Sequence, residues 1–367
     1  MNILLTGATG TLGSRVLFSL MEQRFNSLDT IYLPVRKKSH QHPEKRILTI
    51  VNSEFATDFI KENLAAVLKK IRVVDAEKLL DPNSFLGNHK LDYFIHSAGF
   101  VNLSTHPEAE QEVFNQNLQF TKDIFNSYCN HIGKFVYIST AFASGNIDGI
   151  IGNDYSRLQN QDYRNHYEAS KRAAEKFLIK AGKEKNISVQ ILRPSVLGGN
   201  INERPNYFIS KYMVFYLFAK FFHNHNSKDN IRLTIGQTAG LNIIPTDYAA
   251  QVIAKVISRD IGQLNIVNST ETNMIKGISR ILDVVGFCNF SFTQEPINST
   301  TGFSSKTEEF YYQTIGMHLL PYMTSKPNKW DTRLLESILP VPSYNLEDYL
   351  SKTVAFAMLH NFRNQKW

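Results

Sequence analysis

Tyr167 and Lys171 stand four residues apart in Tyr167-Glu168-Ala169-Ser170-Lys171, a spacing that puts both side chains on one face of a helix. An ordinary tyrosine, with a pKa of about 10, is a weak acid at neutrality. An ammonium one turn away favours the phenolate and lowers that pKa. Such a pair is suited to proton transfer at a carbonyl oxygen, although i,i+4 pairs also occur as plain surface contacts. A third element is Ile138-Ser139-Thr140-Ala141, at the end of a strand-like run, where a hydroxyl could bond the same substrate oxygen. Thr140 is the first choice and Ser139 the second; a turn cap is the other use of such a pair.

Upstream lies Thr6-Gly7-Ala8-Thr9-Gly10-Thr11-Leu12-Gly13, directly after Ile3-Leu4-Leu5. A glycine-rich turn between a strand and a helix lets backbone approach a pyrophosphate, which then meets the positive end of the helix. Thr6, Gly7, Thr9, Gly10, Thr11, Leu12 and Gly13 are therefore expected to contact a dinucleotide. The second strand-like run ends in Val35-Arg36-Lys37-Lys38, where an acidic residue would bind ribose hydroxyls. Arg36, with Lys37 behind it, instead suits a 2′-phosphate, so the expected cofactor is NADPH. Asp75 could accept from the adenine amino group or cap a helix. Ala98 and Gly99, in His96-Ser97-Ala98-Gly99, let backbone pass close to the cofactor; His96 is given no proton-transfer role.

These side chains need a scaffold that aligns them. Ile3–Thr6, Thr30–Val35, Ile71–Val74, Tyr93–Ser97, Phe135–Ser139 and Ser188–Leu192 are short apolar runs of the kind that form buried parallel strands. Helix-like stretches separate them, and Glu168–Ile179 is expected to be the helix carrying Lys171. The alternation predicts an α/β fold: a Rossmann-type doubly wound parallel sheet with a smaller C-terminal substrate-binding lobe. The NADP-binding domain is assigned to 1–200 and the substrate-binding lobe to 201–367, partly interleaved with it. Leu241–Ile244 and Leu264–Val267 are read as strands of the smaller lobe, Asn224–Asn230 as a polar stretch and Asn298–Lys306 as a loop.

The 367 residues carry a formal charge of +7, with 43% hydrophobic and 20% charged residues, ordinary for a globular chain. The positive balance suits phosphates or an acidic carrier; no basic arm with interleaved aromatics points to nucleic acid. Cys129 and Cys288 have no CxxC spacing and are expected to be core thiols of a reducing, cytoplasmic protein. The start lacks the features of a signal peptide. The apolar run Tyr212–Ala219 is far shorter than the roughly 20 residues of a membrane span; grazing a membrane surface or lining an apolar pocket remain open to it. His223 and His225 lack further ligands, so no metal is expected.

In these segments the chain resembles the extended short-chain dehydrogenase/reductase family over about the first 250 residues. The resemblance rests on the glycine loop, Asp75, His96-Ser97-Ala98-Gly99, Tyr167/Lys171 and Arg193-Pro194-Ser195-Val196-Leu197-Gly198. It implies cofactor contacts from Ser139, Tyr167, Lys171, Pro194 and Val196. Asn117-Leu118-Gln119-Phe120-Thr121 is similar to the family's Asn-Val-x-Gly-Thr segment, with Phe120 in the glycine position, and makes Asn117 the structural and proton-relay asparagine. Val35-Arg36, Ser139-Thr140-Ala141-Phe142-Ala143-Ser144-Gly145 and Leu241-Asn242-Ile243-Ile244-Pro245-Thr246-Asp247-Tyr248 resemble the fatty acyl-CoA reductase and thioester reductase branch. Leu320-Pro321-Tyr322 with Trp330-Asp331 is loosely similar.

The branch implies NADPH-dependent reduction of an acyl thioester, delivered by CoA or an acyl carrier protein, to an aldehyde and on to an alcohol. Thr140 and Tyr167 would hold the developing oxyanion. The run Tyr207–Phe222 could form a greasy channel for the acyl chain or an amphipathic core helix. Rival readings are a nucleotide-sugar epimerase or dehydratase, a small-ketone or steroid reductase, and a non-catalytic NADP-binding protein. Chain length and oligomeric state are left open.

Overall fold

The computed structural model describes all residues except 39–40, 148, 159–161, 226–227 and 365–367. Asn226 and Ser227, in the polar stretch noted above, thus lie outside the described residues. Seven parallel strands form the central sheet: β1 (Asn2–Thr6), β2 (Thr30–Val35), β3 (Ile71–Asp75), β4 (Leu91–His96), β5 (Ile132–Ile138), β6 (Ser188–Pro194) and β7 (Gln263–Ile266). Their order is β7-β6-β5-β4-β1-β2-β3, so the chain winds outward in both directions from β1. This is the doubly wound Rossmann arrangement, with its switch point between β1 and β4.

Strand residues such as Ile3, Leu4, Leu5, Phe94, Ile95, Phe135 and Val136 are fully buried, as expected of a sheet covered on both faces. Pro34 is tolerated inside β2 because β1 pairs only with Thr30 to Tyr32; at Pro34 the sheet continues only toward β3, at Val74. Helices α1 (Thr11–Arg24) and α5 (Thr246–Val256) pack together on one face, and α3 (His166–Lys185) covers part of the other.

Between them come α2 (Pro43–Val51), which precedes β3, and α4 (Phe215–Asn224), the buried part of the aromatic run. Beyond β7 follow α6 (Met274–Val285), α7 (Met317–Met323) and α8 (Leu346–Leu359). With α4 they enclose a second apolar core. The segment Gln263–Ile266 does not belong to this lobe. It joins the main sheet beside β6, with Leu264 and Ile266 fully buried there.

The second lobe is fastened to α1 by buried charge. Arg15 reaches Glu203 at 2.8 Å, while the Asp247 carboxylate accepts the backbone N–H groups of Ile201, Asn202 and Glu203. Both cysteines are free. Cys129 is only partly buried and Cys288 is exposed, so neither is the core thiol expected; Cys288 follows the α6 helix, outside its apolar stripe. Among the described residues no helix is long and apolar enough to cross a membrane, and no group of three or more His, Cys, Asp or Glu could hold a metal ion.

Candidate active site

The glycine loop turns directly from β1 into α1. Gly7 has a φ of +75°, and a Cβ there would lie 2.8 Å from the Ala98 nitrogen; one on Gly13 would lie 2.1 Å from the Gly7 carbonyl oxygen. Only glycine permits this turn and this helix-to-loop approach. Gly10 caps α1 without a side-chain bond, which leaves the first-turn N–H groups and the helix dipole for an anion. The Thr6 hydroxyl accepts the Ala98 amide at 3.1 Å and bonds His96 Nδ1 at 2.8 Å. Burial, with Lys171 nearby, pushes His96 down to about 3, so the ring is neutral and structural. The donors and bare backbone of this loop fit a dinucleotide pyrophosphate.

At the end of β2, Lys37 is drawn away to Asp75, 3.2 Å from its carboxylate, and Asp75 also accepts the Glu77 amide at 3.2 Å. Asp75 therefore caps the turn after β3. A residue not singled out in the sequence, Arg46 of α2, instead meets Arg36: its guanidinium donates to the Arg36 carbonyl at 2.7 Å and to Thr9 Oγ1 at 3.1 Å. Burial first and Arg36 second lower the Arg46 pKa. Arg36 and Arg46 thus flank the glycine loop, a donor set suited to a phosphate monoester.

The helix α3 begins at His166 because Asn165 caps it. Asn165 Oδ1 accepts the Glu168 amide at 3.0 Å, and Glu168 returns a carboxylate oxygen to the Arg164 amide at 3.1 Å. Tyr167 and Lys171 consequently lie in its first two turns, and Lys171 reaches the carboxyl end of β5. Lys171 is buried; its ammonium donates to the Ile138 carbonyl at 2.7 Å and sits 4.2 Å from the centre of the Tyr137 ring. A methyl built on Gly99 would come 3.8 Å from Lys171 Nζ and 3.9 Å from Asn117 Oδ1, so these three residues line one small space.

Electrostatics here differ from the simple expectation of an acidified phenol. Burial, reinforced by Glu168, pushes the partly exposed Tyr167 phenol up, while burial pushes Lys171 down to about 7, with Glu175 opposing that fall. Burial governs both groups, and the Lys171 ammonium turns to the Ile138 carbonyl. The phenol is accordingly a protonated donor at neutral pH.

Asn117, within the helical turn Asn115–Gln119, accepts the Phe100 amide at 2.9 Å and donates to the Phe100 carbonyl and Ser170 Oγ, each at 3.0 Å. It ties the loop after β4 to α3. Thr140 and Ser139 are both nearly buried at the end of β5. The Thr140 hydroxyl accepts the Phe142 amide at 3.4 Å, and Ser139 lies beside Glu175. Pro194 ends β6, and Val196 starts the short strand Val196–Gly198 that pairs with Ile243–Pro245. Behind Lys171, buried Glu175 holds Arg193 through contacts of 2.7 and 2.9 Å and Arg172 at 2.9 Å. Burial alone would raise the Glu175 pKa, but Arg193 and its neighbours hold it below the usual carboxylate range.

The second lobe reaches this site through Tyr322. Its hydroxyl accepts from Asn165 Nδ2 at 2.7 Å, and its ring meets Phe142 edge-on at 5.7 Å between centroids. Tyr322 also borders a cavity of about 50 Å³ with a predominantly apolar lining, which includes Val214, Phe218, Ile278, Leu319 and Leu350. Of the aromatic run Tyr207–Phe222, it is Val214, Phe215 and Phe218 that reach this wall. Elsewhere, His225 Nδ1 is bonded to the Phe221 carbonyl at 2.8 Å.

Comparison with known proteins places this geometry in context. Residues 5–253 match the family described as male sterility protein. Fatty acyl-CoA reductase 1 of Gallus gallus is 23% identical over 380 aligned positions, covering 94% of this chain and 64% of that protein. Fatty acyl-CoA reductase 2 of Mus musculus is 28% identical over 240 positions, 55% of this chain and 44% of its own length. The chain therefore spans about half to two thirds of these curated relatives. Among solved structures, the terminal R domain from the myxalamid PKS-NRPS pathway superposes with a TM-score of 0.71 at 20% identity, over 99% of this chain and 91% of that one. The dTDP-glucose 4,6-dehydratase DesIV of Streptomyces venezuelae, solved with NAD and TYD bound, gives 0.66 at 16% identity, over 98% and 97%. Both share the fold.

Proposed function

The chain belongs to the male sterility protein family, a branch of the extended short-chain dehydrogenase/reductases, and from that premise we propose that it reduces fatty acyl thioesters with NADPH. The observation that carries this reading is the apolar cavity that shares Tyr322 with the cap of the Tyr167 helix. An aliphatic chain would find apolar partners in it, whereas a nucleotide sugar would find few polar ones. The names of the curated relatives agree with a fatty acyl substrate. Arg36 and Arg46 support NADPH over NADH, since a 2′-phosphate accepts from both guanidinium groups.

When bound, the nicotinamide cofactor supplies the hydride. The hydroxyls of Thr140 and Tyr167 hold the carbonyl oxygen as it gains charge, and Tyr167, kept protonated by burial, is the proton donor. Lys171 would hold the ribose hydroxyls, and Asn117 fixes the loop and helix that carry these groups. Hydride addition to the thioester carbon, with a proton from Tyr167 to the oxygen, gives a hemithioacetal; its C–S bond breaks, the hydroxyl proton passes to the leaving sulfur, and an aldehyde remains while Tyr167 regains a proton from solvent. A second hydride and a proton from Tyr167 give the alcohol. Each reduction consumes one NADPH and one proton.

The test is cofactor oxidation, followed by absorbance, with butanoyl- to hexadecanoyl-CoA, UDP-sugars and a keto-steroid, each with NADPH and NADH. Long acyl-CoA with NADPH is the expected pair. Turnover confined to a sugar nucleotide or the steroid overturns the thioester reading.

A further inference from the structure

Residues 207–214 run from the loop after β6 to α4 as a strap between the lobes. Its ends are both non-glycine residues in the left-handed region, Tyr207 at φ +66° and Val214 at φ +52°, a conformation held only where the surroundings demand it. The surroundings are two sites. In the middle, Ser210 Oγ donates to Thr11 Oγ1 of the glycine loop at 3.1 Å, and Phe208 stacks on Phe55 of the first lobe at 4.3 Å. At its end, Val214 and the following Phe215 form part of the cavity wall.

Between these anchors stands Lys211, next to the Ser210 that bonds Thr11 on the loop whose Thr9 is reached by Arg46 at 3.1 Å. After burial, the influences that lower its pKa are all cationic: Lys38, Arg46 and Arg36. Lys37, by contrast, is matched by Asp75. A strap residue has thus been brought, from the opposite lobe, to a cluster of positive charge whose natural complement is a dianion.

We propose that Lys211 is a third ligand of the cofactor's adenosine 2′-phosphate, supplied by the substrate lobe, and that this contact fastens the wall of the acyl cavity to the bound cofactor. The inference rests on the NADPH reading above. Cofactor selectivity and the shape of the tail pocket then share one segment: a phosphate held by Lys211 fixes Ser210 against Thr11 and sets Val214 in place.

Calorimetric binding of 2′,5′-ADP and 5′-AMP tests this without turnover. Lys211→Ala is expected to weaken 2′,5′-ADP about tenfold, the effect of losing one charge-assisted contact, and to leave 5′-AMP unchanged; Lys211→Arg should restore most of the loss. A wild-type protein that binds both nucleotides equally would remove the NADPH reading and this inference together. If the wild type prefers 2′,5′-ADP and Lys211→Ala keeps that preference undiminished, this inference alone is overturned.

Discussion

Filling the tail cavity should shorten the acyl chain the enzyme accepts. Gly277 in α6 lines that cavity. A Cβ added there meets Thr272 Cγ2 at 3.1 Å and Leu350 Cδ2 at 3.3 Å, both of which line the cavity, so Gly277→Val adds its bulk at the cavity wall. Displacing about two methylenes of substrate forfeits about 0.8 kcal/mol each. The sum, about 1.6 kcal/mol, is about fifteenfold in kcat/KM at 25 °C. The assay is NADPH oxidation across butanoyl-, octanoyl-, dodecanoyl- and hexadecanoyl-CoA. Butanoyl-CoA, too short to enter, should be reduced at the wild-type rate, while hexadecanoyl-CoA falls by that factor. A uniform loss at every length would mean general damage to the lobe, and an unchanged profile would mean that the tail binds elsewhere; either refutes the assignment.

Tyr167→Phe removes the proposed proton donor and should lower kcat by about 10²–10⁴, with NADPH affinity by fluorescence titration changed less than about threefold. Arg46→Ala should raise the Kd for NADPH about tenfold or more and leave NADH alone; equal effects on both would defeat the 2′-phosphate assignment. Lys171 should titrate near pH 7 in carbon-detected NMR of lysine-labelled, unliganded protein, a resonance absent from Lys171→Met, because burial lowers it from 10.5 to about 7. The unfolded chain then binds the extra proton between about pH 7 and 10.5, so stability in urea rises with pH through that window, and Lys171→Met should lack this part of the slope. Glu175→Gln leaves Arg193 and Arg172 buried beside a neutral amide and should cost about 3–5 kcal/mol, seen as a lower urea midpoint; a loss under about 1 kcal/mol would show that water compensates.

Much of the framework is legible in local patterns. The run Thr30–Val35 is one strand with the bounds expected, since branched apolar residues end at a charged turn. The helix carrying Tyr167 and Lys171 starts at His166 rather than Glu168, and the signal lies in Asn165-His166-Tyr167-Glu168, an Asn three residues before a Glu. Gln263–Ile266 could not be placed from its own residues, because an edge strand of the main sheet and a strand of a small lobe have the same alternation; only its register against β6 decides. Arg46 was invisible because an arginine on an amphipathic helix carries no pattern until α2 folds against the glycine loop. Lys37, expected as a second contact behind Arg36, is paired with Asp75 instead. The cavity is hidden for a similar reason. Its lining comes from segments between Val214 and Leu350, none of which signals a pocket alone. The direction of the Tyr167 shift depends on desolvation, which spacing along a helix does not report.

The most direct measurement is a single turnover with hexadecanoyl-CoA and NADPH deuterated at the transferable position, with free thiol and product analysed together. Deuterium at C1 of the aldehyde or alcohol, with one coenzyme A thiol released per acyl group reduced, is the predicted result. Cofactor oxidation without thiol release, or a labelled product that retains the thioester, would contradict it.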